Sequence, residues 1–197
     1  MNDMKYRAVL WDVDGTLIDS AAAVYISLKD ALTELKRPEW YEKVKALAMH
    51  CTSEALLRAA GFTDIAEPLA CWNRHYAALS GSDIYRFCPG AEEAVRALRA
   101  AGIRQAIVTS RIDREVYDDL RLRPLLPCFD TIVTGDDTAR HKPDPEPVLL
   151  CLERLGVRAE EAVYIGDTSS DEAAAKAAGV DFLYANENIF RDLTEKG

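Results

Sequence analysis

The sequence predicts an α/β fold: a parallel sheet with helices on both faces, interrupted after its first strand by an all-helical insertion. Three observations lead there. Short, nearly all-apolar runs recur along the chain, as expected of strands covered by helices on both sides. Ala/Leu-rich helical runs alternate with them, and each closes on a Gly with a β-branched residue after it. Between Ala21 and Cys88 the alternation stops, and only amphipathic helical patterning remains. Residues 1–20 and 89–197 are accordingly assigned to the α/β core and residues 21–88 to the insertion.

Taken in order, the first element is the strand Ala8 to Asp12. Helices are expected over Ala21 to Leu35, Pro38 to Ala48, Ser53 to Ala60 and Ile65 to Leu79, with no convincing strand among them. Arg37-Pro38 fits a helix start and Gly61 a helix end, while Ser80-Gly81-Ser82 and Pro89-Gly90 mark the return to the core. Three αβ units follow, Glu92 to Ser110, Pro147 to Asp167 and Glu172 to Tyr184. Gly102, Gly156 and Gly179 fall where a helix C-terminus wants a left-handed residue. The run Thr131 to Gly135 completes five candidate parallel strands. An insertion at this point is placed to act as a lid over the C-terminal strand ends, where open α/β sheets take their ligands.

Composition narrows the function. With 24 Lys+Arg against 33 Asp+Glu, the 197-residue chain carries a formal charge of −9, which excludes gripping nucleic acid through a basic surface. At 49% apolar residues there is ample material for a core. No apolar run approaches the roughly 18 residues that span a bilayer, and the N-terminus leads into a strand rather than a signal-peptide core, so a cytoplasmic protein without membrane partners is expected. Cys51, Cys71, Cys88, Cys128 and Cys151 are odd in number and scattered, and read as buried free thiols.

Four polar clusters stand at strand ends or exits. Asp12 and Asp14 flank the end of the first strand, with Gly15-Thr16 permitting a sharp turn; the pair can share a divalent cation or merely form an Asx turn. Thr109-Ser110 ends an apolar strand and offers hydroxyls to an anionic oxygen, although helix capping uses the same residues. Lys142 precedes a Pro-rich helix entry, either as a phosphate counter-charge or as a solvated lysine. Asp167 ends a further strand, and Asp171 follows in the first turn of the next helix, where the helix dipole also favours an acid. Four carboxylates packed together repel one another, and oxygen coordination of Mg²⁺ resolves that repulsion. No His pair or Cys-His pattern offers softer ligands suited to zinc.

These residues, in this order, resemble the haloacid dehalogenase (HAD) superfamily of phosphohydrolases over essentially the whole chain. Asp12-Val13-Asp14-Gly15-Thr16 is similar to its first motif, Thr109 to the second, Lys142-Pro143 to the third, and Gly166 to Asp171 to the fourth. The resemblance implies a Rossmann-like sheet with a small helical C1 cap, in the branch that includes phosphoglycolate phosphatase and β-phosphoglucomutase. It further implies Asp12 as nucleophile forming an aspartyl-phosphate and Asp14 as general acid and base. Mg²⁺ would be held by Asp12, the Asp14 main-chain carbonyl and Asp167. Thr109, Ser110 and Lys142 would hold phosphate, and Asp171 would orient Lys142 or a metal-bound water. The expected partner is a small phosphorylated metabolite, on a monomer or homodimer.

Two alternatives carry different chemistry. A sugar phosphomutase keeps an acid at the position of Asp14. A non-catalytic phospho-accepting receiver needs neither the Asp12-x-Asp14 pair nor a cap. In the cap, the resemblance implies that Met49-His50-Cys51-Thr52 reaches substrate, with His50 and Thr52 as candidates; relatives resemble a Gly-rich loop here. Arg58, Arg74 and Tyr76 either line the lid or, with His75, serve packing and solvated faces. Trp11 is expected behind the site, and Trp40 and Trp72 in the cap core.

Overall fold

The computed structural model describes residues 6–48 and 51–196. The chain begins with β1 (Ala8–Trp11) and β2 (Ile18–Asp19), then runs through α1 (Ala21–Glu34), α2 (Tyr41–Val44), α3 (Ser53–Ala59) and α4 (Ala66–Leu79). It returns through β3 (Arg86–Phe87) to α5 (Ala91–Ala100), β4 (Arg104–Val108), α6 (Asp113–Tyr117) and β5 (Thr131–Val133). The last elements are α7 (Glu146–Leu155), β6 (Ala162–Gly166), α8 (Ser169–Ala177), β7 (Asp181–Tyr184) and α9 (Glu187–Lys196). By contact the chain divides into two units, Met1–Ile18 with Phe87–Gly197, and Asp19–Arg86.

In the first unit the five apolar runs form one sheet in the order β5-β4-β1-β6-β7, and the pairings described are parallel. Alternation along the strands assigns the two faces. Ala8, Leu10, Ala106, Val108, Ala162 and Tyr164 join Val148, Cys151 and Leu152 of α7 and Ala174 and Ala175 of α8 in one buried cluster. On the other face Trp11 lies against Phe190 of α9, ring centroids 6.2 Å apart, and its indole donates to Gln105 at 3.1 Å. Gln105 in turn donates to the Val95 carbonyl of α5 at 2.9 Å. Trp11 is fully buried, as the sequence leads one to expect. Gly102, Gly156 and Gly179 all take positive φ at helix ends.

The second unit is helical. On α1 the buried residues Val24, Ser27, Leu28, Ala31 and Leu32 follow a helical stripe, and they pack with Leu56, Leu57, Cys71 and Trp72. Trp72 donates to Ser27 Oγ at 2.9 Å, which satisfies an indole N–H inside the apolar cluster. Trp40 is only partly buried at the edge of that cluster.

Three expectations need correction. The helix expected over Pro38 to Ala48 is two single 3₁₀ turns, Pro38–Trp40 and Lys45–Leu47, around the four-residue α2. Val44 is the one fully buried residue of those three pieces, and Trp40, Tyr41 and Ala48 are only partly buried against the same cluster, so the segment is weakly held. The segment read as wholly helical also holds β3, which pairs with β2 where the chain leaves and re-enters the α/β unit. Of the cysteines, Cys71 and Cys151 are buried, while Cys51, Cys88 and Cys128 are only partly so. Among the described residues, no helix is long and apolar enough to cross a membrane.

Candidate active site

Parallel register brings three strand ends together. Trp11 of β1 lies beside Ile107 of β4 and Ile165 of β6, so Asp12, Thr109 and Asp167 leave the same edge of the sheet. The Asp12 N–H extends the ladder by donating to the Ile165 carbonyl at 2.9 Å. The chain then turns sharply: Leu17 and Ile18 both donate to the Val13 carbonyl at 2.9 Å, and Gly15 takes a φ of +80°. A Cβ at Gly15 would collide with the Asp167 carboxylate, so the glycine provides both the turn and the room for that acid.

Lys142 ties the cluster together. Its ammonium donates to Asp12 Oδ1 at 2.7 Å and to Asp171 Oδ1 at 2.6 Å, with Tyr164 Oη at 3.2 Å and the Val108 carbonyl at 3.4 Å. Asp171 is held from its other oxygen by α8: Thr168 donates through its hydroxyl at 2.6 Å and its N–H at 3.0 Å, and Asp171 N–H returns to Thr168 Oγ1 at 3.1 Å. This is a capping box at the start of α8, so one aspartate serves both the helix terminus and the lysine.

The electrostatics follow from burial. Burial pushes the Asp12 carboxyl up to about 8, against the pull of Lys142. Asp167 is raised to about 6 by burial and the nearby Asp171 charge. Asp171 moves the other way: against the cost of burial, the Lys142 charge and the hydrogen bonds from Lys142 and Thr168 hold it below the ordinary carboxylate range. Despite its own burial, Lys142 stays protonated well above the usual lysine range because Asp12 and Asp171 face it. One ammonium thus opposes three carboxylates, Asp12, Asp167 and Asp171, whose oxygens lie within 4.8 Å of one another. An all-oxygen donor set with an unmet demand for positive charge fits a hard divalent cation.

Not every expected residue joins this group. The Asp14 carboxylate turns to Arg111, which donates bidentately, Nη2 to Oδ1 at 2.6 Å and Nε to Oδ2 at 2.8 Å. Arg111 is itself buried against Asp119, with Nη1 to Oδ2 at 2.7 Å. Thr109 is buried at the exit of β4, and its hydroxyl accepts the Arg111 N–H at 3.2 Å; Ser110 lies between them in the same turn. Thr52 is the N-cap of α3, its hydroxyl accepting from Ala55 N–H at 3.2 Å. Met49 and His50 lie outside the described residues.

The sequence reading missed Arg111, Asp119 and Tyr164. Arg111, two residues beyond Thr109, was legible as a base in a strand-end loop, but no spacing rule pairs it with Asp14, 97 residues away. Tyr164 sits in a strand buried at every position, so polarity alternation gives no sign that its hydroxyl faces Lys142.

The sequence pattern of the haloacid dehalogenase-like hydrolases matches residues 9–185. A phosphoglycolate phosphatase of Aquifex aeolicus is 34% identical over 175 residues, spanning 88% of this chain and 81% of its own. A phosphorylated carbohydrates phosphatase of Thermotoga maritima is 29% identical over 189 residues, 94% of this chain and 88% of its own. Among solved structures, CbbY from Rhodobacter sphaeroides in complex with phosphate superposes with a TM-score of 0.76 at 26% identity, over 91% of this chain and 85% of that one. The strand-end carboxylates and their lysine therefore stand within a matched stretch covering most of the chain, which belongs to the haloacid dehalogenase-like hydrolase family.

Proposed function

We propose that the protein is a Mg²⁺-dependent phosphatase acting on a small phosphorylated metabolite through an aspartyl-phosphate intermediate, in the manner of phosphoglycolate phosphatase. The observation that carries this reading is the meeting of Asp12, Asp167, Asp171 and Lys142 at one sheet edge. In the family such sites use Mg²⁺; here the carboxylates of Asp12 and Asp167 and the Asp14 main-chain carbonyl would hold it. When bound, the cation supplies positive charge between nucleophile and phosphoryl oxygens that would otherwise repel.

Asp12 attacks phosphorus in line: the Asp12 Oδ–P bond forms as the P–O bond to the leaving alcohol breaks. Asp14 gives its proton to that departing oxygen, then takes one from the water that cleaves the acyl-phosphate. Lys142, with Thr109 and Ser110, balances charge on the transferring oxygens, and Asp171 keeps Lys142 aimed. Arg111 is a positioning residue: it holds both Asp14 oxygens, so one must be released from the guanidinium before it transfers a proton. The 2.6 Å contact from Lys142 to Asp171 supports the orienting role.

The test is a purified-protein assay with p-nitrophenyl phosphate, phosphoglycolate and a panel of sugar phosphates, with Mg²⁺ and with a chelator. Free phosphate released only with the cation is the expected result. Isomerised sugar phosphate with little free phosphate would make the protein a phosphomutase. Turnover of none of them overturns the enzyme reading. Asp12→Asn is expected to lower kcat by at least about 10³-fold while the circular dichroism spectrum stays native; activity near wild type removes Asp12 as nucleophile.

A further inference from the structure

The helical unit holds a second group of metal-ligating side chains that the phosphatase reading leaves unused. Cys71 and His75 lie four residues apart on α4, on one face of the helix. Opposite them stands Glu34, the last residue of α1, a helix that packs along α4. A carboxylate oxygen of Glu34, the Cys71 Sγ and a ring nitrogen of His75 lie within 4.8 Å of one another. Cys71 and His75 are themselves a Cys-His pair at helical spacing, contrary to the expectation that the sequence offers no such pattern, and packing of α1 on α4 adds Glu34 as a third donor.

From this geometry we infer that Glu34, Cys71 and His75 form a binding site for a thiophilic divalent cation of the Zn²⁺ class, joining α1 to α4. The donors, one thiolate, one imidazole and one carboxylate, suit Zn²⁺ and not the Mg²⁺ favoured by the all-oxygen cluster. Access is provided from one side: Cys71 is fully buried, whereas the His75 side chain is 30% and the Glu34 side chain 50% exposed. Three protein ligands thus leave a fourth position to water.

The present contacts show what the ion displaces. His75 Nε2 is 2.8 Å from Glu34 Oε2, and Arg74 Nη2 occupies the other oxygen, Oε1, at 2.7 Å. Arg74 is a competing cation on the rim, and it leaves Oε2 to the site. The Cys71 thiol has a weak backbone contact, Sγ to the Ala31 carbonyl at 3.9 Å. Binding sends the Cys71 proton to solvent and uses a neutral ring that carries its proton on Nδ1, leaving the Nε2 lone pair for the metal.

The test uses the whole protein, stripped by a chelator and titrated with Co²⁺ as a spectroscopic stand-in for Zn²⁺, with excess Mg²⁺ present to fill the all-oxygen site. A thiolate-to-cobalt charge-transfer band saturating near about one equivalent, and bleached by Zn²⁺, is expected. Cys71→Ser is expected to abolish the band, and His75→Ala to weaken Co²⁺ binding at least about tenfold with native circular dichroism. Should Cys71→Ser fail to fold, His75→Ala and Glu34→Gln decide alone. Absence of the band in wild type, or a band unchanged in both of those variants, overturns the site. Asp12→Asn is expected to keep the band while losing phosphatase activity, so the two sites fail separately.

Discussion

Both units carry exposed ion pairs, but the α/β unit also buries a charged cluster. In the α/β unit Lys142, Asp12 and Asp171 meet with side chains only 7%, 8% and 1% exposed. In the helical unit the pairs Arg58–Glu54, Lys45–Glu42 and Arg74–Glu34 all have both partners at least 45% exposed. Exposed pairs contribute about 0–1 kcal/mol, because water already solvates each ion. Buried ions cost several kcal/mol to desolvate and recover it only through close partners. The helical unit therefore rests on its apolar stripe with charges as solubilising trim, whereas the α/β unit tolerates a costly cluster to which the proposed chemistry assigns a use.

The sharpest way to break that contrast is to remove one cation from each unit. Lys142→Ala leaves Asp12 and Asp171 buried without a counter-charge, and is expected to cost about 3–5 kcal/mol in urea unfolding of chelator-treated protein, part of it relieved by protonation of Asp12. Arg58→Ala is expected to change stability by less than about 1 kcal/mol in the same experiment. Equal losses would show that burial does not separate the two units.

The next effect concerns protons and metal. On the proposed reading Asp12, near 8, and Asp167, near 6, must both lose their protons to bind the cation. Mg²⁺ affinity, read from the Mg²⁺ dependence of activity or by calorimetry, is expected to fall about 10²-fold as pH drops from about 8 to about 6. Both folded values lie above the ordinary 3.8, so the metal-free fold holds protons that the unfolded chain releases. Stability of the metal-free protein therefore falls as pH rises through that window, and saturating Mg²⁺ removes the slope. Asp171, shifted down, acts with the opposite sign and only below about 3.8. Pairs in the helical unit are expected to contribute no comparable slope.

Smaller effects test the helical unit itself. Ser27→Ala removes the oxygen that accepts the buried Trp72 indole N–H and is expected to cost about 1–3 kcal/mol by thermal or urea unfolding. Thr52→Ala removes the N-cap of α3, with an expected loss of about 1 kcal/mol. If Thr52→Ala instead raises KM severalfold with unchanged stability, its hydroxyl serves substrate rather than the helix.

Legibility differed between the units for a physical reason. In a parallel sheet the chemistry gathers at strand C-termini, and strand ends are marked in the chain by apolar runs stopping at polar residues, as at Asp12, Thr109 and Asp167. The αβ alternation and the helical character of the insertion were legible for the same reason, since both are local periodicities. The break at Pro38 to Leu47 was not, because three short turns carry the apolar spacing of an amphipathic helix, and only packing shows that Val44 alone among them is fully buried while Trp40 and Tyr41 are partly so. The short strands β2 and β3 are two residues each and carry no period at all.

By itself the sequence determined the order of elements, the Asp12-x-Asp14 turn, the lysine before Pro143 and the aspartates that follow β6. Each is set within a few residues by local preference: a strand must end, a turn needs Gly15, a helix start favours an acid. Tertiary structure alone decided who faces whom. Arg111 on Asp14, Tyr164 on Lys142, and Glu34 across from Cys71 and His75 are separated by 97, 22, 37 and 41 residues, and no helical or strand period reaches that far. Periodicity assigns a residue to a face; only packing assigns that face a neighbour.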